Sequence, residues 1–131
     1  MRQWRTAVIG AGFIGPVHVE ALRRAGVEVA AVIGSTPEKT SRLADQFRTS
    51  QSHTTLDDVL QDPSIDVVHL TTPNRLHFQQ ATAALRSGHH VLCEKPLAMN
   101  TKESSELVRL AKESGKIHAV DFNYRFYPLV Q

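Results

Sequence analysis

The chain has 131 residues, of which 41% are hydrophobic and 21% are charged, values typical of one globular domain. This composition excludes a disordered or collagen-like chain, and the single cysteine, Cys93, excludes internal disulfides and fits a reducing compartment. Fifteen lysines and arginines against 13 acidic residues leave a net charge of +2, and the basic residues are dispersed, so we expect no nucleic-acid partner. No apolar run approaches the roughly 18 residues that a membrane span needs, so we expect no membrane partner and a cytoplasmic location.

Short apolar runs alternate with segments of helical period along the chain. The runs predict strands at residues 5–10, 27–33, 66–71, 90–94 and 117–120, with a weaker edge strand near His53 and Thr54. The helical patterns lie between Ile14 and Gly26, from Pro37 to Phe47, between Thr55 and Asp62, from Pro73 to Ser87, and from Asn100 to Ser114. Strands that alternate with helices predict an α/β fold with a doubly wound parallel sheet, in the strand order 3-2-1-4-5-6.

A glycine motif, G-x-G-x-x-G, joins the first predicted strand to the first predicted helix. Gly10 permits a tight turn, Gly12 lets a pyrophosphate approach the backbone, and Gly15 lets the helix pack closely on the strand. The helix N-terminus then offers free N–H groups to the phosphates. The motif therefore predicts a dinucleotide-binding Rossmann domain, with cofactor contacts at Gly10, Gly12, Phe13, Ile14 and Gly15.

The end of the second predicted strand indicates which dinucleotide binds. An NAD-selective site usually places an acidic residue there, whereas this strand ends without one and is followed by Ser35 and Thr36. Lys39 and Arg42 lie one or two turns into the next helix, an arrangement that suits a 2′-phosphate. We therefore favour NADP. The alternative, NAD, stays open if the two hydroxyls only cap the helix and the two cations are solvated.

Two further segments follow strands at the edge where ligands of open α/β sheets bind. In the first, the residues expected to line the cofactor cleft are Thr71, Thr72, Pro73, Asn74 and His77, although helix capping explains Thr72 and Asn74 about as well, and His77 could be an ordinary helix residue. In the second, Lys95 follows the strand that ends at Glu94, where an ammonium group can hold a substrate oxygen and relay its proton. The seven histidines show no ligand spacing, so we expect no metal.

Four motifs together carry a family resemblance: G-A-G-F-I-G, T-T-P-N-R-L-H, C-E-K-P and F-N-Y-R-F-Y-P. In this order they resemble the N-terminal domain of the glucose–fructose oxidoreductase/inositol dehydrogenase (Gfo/Idh/MocA) family. The resemblance implies that Lys95 contacts substrate and nicotinamide, that the Lys95–Pro96 peptide is cis, and that Glu94 helps to hold the nicotinamide end. It also implies that Tyr124 and Arg125 pass beside the nicotinamide.

The resemblance also implies an activity and a division of the chain. Residues 1–121 form the dinucleotide-binding domain, and residues 122–131 begin the connection to a substrate domain that this sequence lacks. The parent enzyme is expected to transfer a hydride between nicotinamide and a sugar, polyol or related hydroxyl compound, and to form a homo-oligomer. We expect the 131-residue chain to be inactive alone. The alternative is a module that binds or senses a nucleotide without turnover.

Overall fold

The structure, a computed structural model, describes residues 3–50 and 53–130. Its strands are β1 (Arg5–Ile9), β2 (Glu28–Ile33), β3 (Val67–Leu70), β4 (His90–Glu94) and β5 (His118–Asp121). Its α-helices are α1 (Gly15–Arg24), α2 (Pro37–Phe47), α3 (Leu56–Gln61), α4 (His77–Arg86) and α5 (Thr101–Ser114). One 3-10 turn, Asn74–Leu76, precedes α4, and another, Asn123–Phe126, follows β5. None of the helices in these ranges is long and apolar enough to cross a membrane.

The strands form one parallel sheet in the order β2-β1-β3-β4-β5. The chain runs outward from β1 to β2 and then crosses back to place β3 on the other side of β1. The carboxyl ends of β1 and β3 therefore meet at the point where the strand order reverses, which is where open α/β sheets bind ligands. This order confirms the predicted doubly wound topology for the five strands of the described residues.

The predicted edge strand near His53 and Thr54 is wrong for these two residues, which form no strand. The backbone N–H of Thr54 donates to the Asp58 carboxylate at 2.9 Å, and Nε2 of His53 lies 2.9 Å from the Asp62 carboxylate. The segment is therefore bound to α3 rather than to the sheet. The neighbouring residues 51 and 52 lie outside the described residues.

Helices cover both faces of the sheet. Successive side chains of a strand point to opposite faces, and apolar side chains of these strands point to both. On one face α1 and α2 pack against Val8, Val29 and Val32. On the other, α3, α4 and α5 pack against a larger cluster that includes Val68, Leu70, Val91 and Cys93. Burial on both faces explains why the strands are continuous apolar runs.

Several predicted boundaries are confirmed, β1, β2 and β3 are one or two residues shorter than predicted, and two further elements differ for reasons that the contacts show. The bounds of α2 and β4 are those predicted, and α5 follows an Asn100 cap. The segment from Pro73 to Ser87 is not one helix, because it starts as a 3-10 turn and becomes α-helical only at His77. Strand β5 lies one residue later than predicted, because the N–H of Ile117 donates to the His90 side chain and Asp121 pairs with Glu94.

Candidate functional site

An open groove of about 1000 Å³ lies at the carboxyl edge of the sheet, over the ends of β1, β2 and β3. It brings together predicted cofactor residues from three separate loops. These are Gly10, Gly12, Ser35, Thr36, Lys39, Thr71, Thr72 and Pro73. The prediction did not include Gln46, Thr54, Thr55 or Gln80, which also line the groove and which carry no motif in the sequence.

The glycine loop forms one wall of the groove. Gly10 has a φ of +96°, and a Cβ atom there would lie 2.7 Å from the carbonyl oxygen of Thr71. A Cβ atom on Gly15 would collide with the carbonyl oxygen of Gly10. At Gly12, by contrast, nothing lies within 4 Å of the Cβ position. Gly10 and Gly15 therefore permit the packing of the loop, whereas Gly12 leaves space open.

The N-terminus of α1 follows this loop directly and is free to bind an anion. Its N-cap residue, Ile14, makes no side-chain hydrogen bond to the helix. The first N–H groups of an α-helix have no partner within the helix and carry a partial positive charge. An uncapped N-terminus beside the open space at Gly12 suits a phosphate group.

The wall formed by the end of β2 is cationic. The hydroxyl of Thr36 accepts a hydrogen bond from the N–H of Lys39 at 3.3 Å, and Nζ of Lys39 donates to the hydroxyl of Ser35 at 3.0 Å. Lys39, Arg42 and Arg75 are the cations among the described residues that line the groove, and no acidic residue lines it. Glu38 lies outside this lining, and its hydrogen bond with the Thr36 side chain lowers its pKa.

His77 does not line the groove, contrary to its expected place in the cleft. Its imidazole is fully buried, with Nδ1 at 2.7 Å from the carbonyl oxygen of Pro96 and Nε2 at 2.9 Å from that of Thr72. His77 therefore ties the loop after β3 to the loop after β4.

Other predicted residues lie at the same edge of the sheet but outside the groove lining. Lys95 is exposed and is joined to Pro96 by a cis peptide bond, as the family resemblance implies. Glu94 is buried, and its carboxylate accepts a hydrogen bond from the N–H of Lys95 at 3.2 Å. The remaining residues outside the lining are Phe13, Ile14, Gly15, Asn74, Tyr124 and Arg125.

A buried polar cluster beside Lys95 was missed by sequence reasoning. Nδ1 of His18 lies 3.0 Å from Nδ1 of His69, and Nε2 of His18 lies 3.1 Å from Glu94 and 3.4 Å from Asp121. His18, Glu94 and Asp121 each offer one possible metal-ligand atom within 4.8 Å of the others, a grouping that spacing along the chain did not reveal. Extending the predicted fifth strand by one residue would have placed Asp121 at the ligand-binding edge.

Burial perturbs the titration of three groups in this region. Burial and the nearby His18 lower the pKa of His69 to about 4, so His69 is neutral at pH 7. Burial and the Glu94 carboxylate raise the pKa of Asp121. Burial raises the pKa of the Cys93 thiol to about 12, so this cysteine is a core residue and not a nucleophile.

The glycine loop, the uncapped helix and the groove at the strand-order reversal are the parts of a dinucleotide site. A family model described as an oxidoreductase family with an NAD-binding Rossmann fold matches residues 4–122. The chain belongs to this Gfo/Idh/MocA family. Its dinucleotide-binding fold and its family resemblance are thereby confirmed.

The relatives that this chain resembles are considerably longer than it is. The 1,5-anhydro-D-fructose reductase of Ensifer adhaerens is 36% identical over 126 residues, which are 95% of this chain and 37% of that protein. Among solved structures, an NAD-binding oxidoreductase from Klebsiella pneumoniae is 31% identical with a TM-score of 0.93, over 98% of this chain and 37% of that one. A levoglucosan dehydrogenase in complex with NADH and levoglucosan is 33% identical with a TM-score of 0.90, over 98% and 37%. The chain thus spans little more than a third of each relative.

Proposed function

We propose that this chain is the cofactor-binding part of an NAD(P)-dependent oxidoreductase that acts on a sugar, a polyol or a related hydroxyl compound, and that it favours NADP over NAD. The observation that carries the proposal is the groove, which combines an open phosphate position at Gly12 with a cationic wall at the end of β2. The two named relatives, a reductase and a dehydrogenase of sugar derivatives, support the substrate class.

The preference for NADP rests on charge. A ribose 2′-hydroxyl is usually held by an acidic residue at the end of β2, and none of the described lining residues is acidic. Ser35, Thr36 and Lys39 instead place two hydroxyls and an ammonium group at one point of the groove. A 2′-phosphate accepts hydrogen bonds from the Ser35 hydroxyl and the Lys39 ammonium group, and charge-assisted bonds of this kind are stronger than neutral ones.

Lys95 is the proposed catalytic residue. When bound, the nicotinamide supplies the hydride chemistry. The exposed ammonium group of Lys95 follows β4 at the carboxyl edge of the sheet, where it can hold the oxygen of the substrate carbon that reacts and relay its proton. We assign Tyr124 and Arg125, exposed in the turn after β5, to the same end of the cofactor.

Calorimetric titration of the chain with NADPH, NADH and ADP-ribose tests the proposal. We expect NADPH to bind at least about tenfold more tightly than NADH, since a charge-assisted hydrogen bond contributes about 1.5 kcal/mol or more. Ser35→Asp should reverse this preference, because it sets a carboxylate against the 2′-phosphate. Lys39→Ala should weaken the binding of NADPH but not that of NADH. The matched control is Lys102→Ala, on the distant helix α5, which should change neither affinity.

The outcomes separate the two parts of the proposal. Tighter binding of NADH would contradict the cofactor preference but leave the dinucleotide site in place. If none of the three nucleotides binds, the assignment of the groove itself is wrong.

A further inference from the structure

Three buried polar side chains and one half-buried carboxyl group form a connected cluster beneath the turn that carries Lys95. His69 of β3 contacts His18 of α1, His18 contacts Glu94 of β4 and Asp121 of β5, and Glu94 contacts the N–H of Lys95. The side chains of His18 and Glu94 are 6% and 11% exposed, so solvent does not satisfy them. Buried polar groups need partners within the protein, and here each group has one.

The partners of His18 determine where its protons lie. Nε2 faces two carboxyl groups, and a carboxylate only accepts, so Nε2 carries a proton and donates it. Nδ1 faces Nδ1 of His69, so one of these two nitrogens donates and the other accepts. His69 is neutral at pH 7 and can fill either role. In both arrangements the Nε2–H of His18 points at Glu94.

Glu94 uses its two oxygens on different partners. Oε1 accepts from His18, and Oε2 accepts from the backbone N–H of Lys95. The orientation of the carboxylate therefore couples helix α1 to the first residue of the turn after β4. Removing the donor at His18 leaves Oε1 of this buried carboxylate without its His18 hydrogen bond, and we expect the cost of that unmet contact to reorient the side chain.

We propose that His18 is a positioning residue of this oxidoreductase: its Nε2–H holds the Glu94 carboxylate against the Lys95 N–H and so fixes the turn that presents Lys95. The proposal rests on the proposed function, since it concerns the residue assigned to proton transfer there.

Two substitutions separate the two nitrogens of His18. A glutamine amide reaches as far from the backbone as Nε2 does, so His18→Gln keeps a donor for Glu94. An asparagine amide reaches only as far as Nδ1, so His18→Asn keeps a group near His69 and loses the donor for Glu94. Glu20→Gln, on the exposed face of α1, is the control.

Amide hydrogen exchange of the 131-residue chain, followed by NMR, measures the effect. We expect the Lys95 amide to exchange at least about tenfold faster in His18→Asn, relative to the Leu107 amide in the buried face of α5, which corrects for global opening. His18→Gln and Glu20→Gln should exchange as the unchanged chain does. Unchanged exchange in His18→Asn, or loss of protection in both His18 variants, would overturn the proposal.

A measurement on the unsubstituted chain keeps the proposal testable if a variant fails to fold. Long-range ¹H–¹⁵N correlations of the His18 ring should show a proton on Nε2, and an unprotonated Nε2 overturns the proposal. Binding of Zn²⁺ at micromolar concentration, with a shift of the His18 ring signals, also overturns the proposal, because a metal ion would then occupy the place of the proton. ADP-ribose binding, measured in parallel, tests the proposed function separately, because it depends on the groove and not on His18.

Discussion

Gly12 and Gly15 stand three residues apart in one glycine motif, but a side chain at each would meet different surroundings. Nothing lies within 4 Å of the Cβ position at Gly12, whereas a Cβ atom at Gly15 meets the carbonyl oxygen of Gly10. The first glycine therefore matters for what enters the groove, and the second for how α1 packs on β1. These two roles can be separated by substitution.

We predict that Gly12→Val abolishes dinucleotide binding and leaves the fold intact. The valine side chain enters the space where the pyrophosphate must approach, and nothing lies within 4 Å of its Cβ position. Calorimetry measures the binding, and circular dichroism with thermal unfolding measures the fold. Gly15→Ala is the matched comparison. It should lower the unfolding temperature, because its methyl group collides with the carbonyl oxygen of Gly10 and pushes the loop out of place. A Gly12→Val variant that is folded and still binds would contradict the phosphate-loop assignment.

Helix α3 shows how a short element depends on its cap. It has six residues, a length at which an isolated helix is marginal, and it begins with a capping box between Thr55 and Asp58. The Asp58 carboxylate accepts hydrogen bonds from the N–H and hydroxyl of Thr54 and from the N–H of Thr55. These bonds lower the pKa of Asp58 to about 2. The hydrogen bonds of Ser64, with a smaller contribution from His53, likewise lower the pKa of Asp62, just after the helix, to about 2.

We predict that α3 is the acid-sensitive part of the fold. The pKa of Asp58 is about 2 when folded and near 3.8 when unfolded, so the unfolded chain binds protons first as the pH falls. The stability from this cap is fully present above about pH 4 and is lost as the pH falls toward 2. Urea unfolding at pH 5, 4, 3 and 2 should show this decline, and Asp58→Asn should reduce its slope.

The control for this prediction lies in α5. Asn100 caps that helix by accepting a hydrogen bond from the N–H of Glu103 at 2.9 Å. Asn100→Ala removes a cap without removing a titratable group, so it should cost about 1 kcal/mol at each of these pH values. If the stability of the Asp58→Asn variant falls with decreasing pH as steeply as that of the unchanged chain, Asp58 is not the source of the acid sensitivity.

On the scale of the whole molecule, the functional features lie at one edge of the sheet. The groove lies over β1, β2 and β3, while Lys95 and the His18 cluster lie at the ends of β4 and β5. Beyond β5, Phe122, Tyr124 and Phe126 are 59%, 67% and 71% exposed, so this segment presents an apolar surface to solvent. The homo-oligomer and the domain boundary at residue 121 stay predictions.

We predict that Lys95→Ala separates binding from turnover. Lys95 does not line the groove, so the affinity of this chain for NADPH should change less than about twofold. If this chain is joined to a substrate domain as in its relatives, turnover of the proposed substrate should fall by about 100-fold or more, the usual effect of losing a general acid or base. Calorimetry and steady-state kinetics measure the two quantities. Turnover that survives Lys95→Ala would contradict the catalytic assignment.

Local patterns were sufficient to predict most elements of this fold. Thr36 followed by Pro37 marks the start of α2, and the Asn100 cap and Gly115, with a φ of +65°, bound α5. These signals act within a few residues and do not depend on the rest of the chain. The errors arose where a distant or competing partner took a backbone group, as Asp58 does for Thr54 and the His90 side chain does for Ile117.

The sequence by itself determined the alternation of strands and helices, the glycine loop and the position of Lys95 after a strand, because each follows from period, caps or turn chemistry along the chain. Only the tertiary structure decided that His77 is buried between two loops and that His18, His69, Glu94 and Asp121 form one cluster. These side chains come from elements far apart in sequence. Their contacts are set by how α1 packs across the sheet and by the register of β4 and β5, which no local pattern encodes.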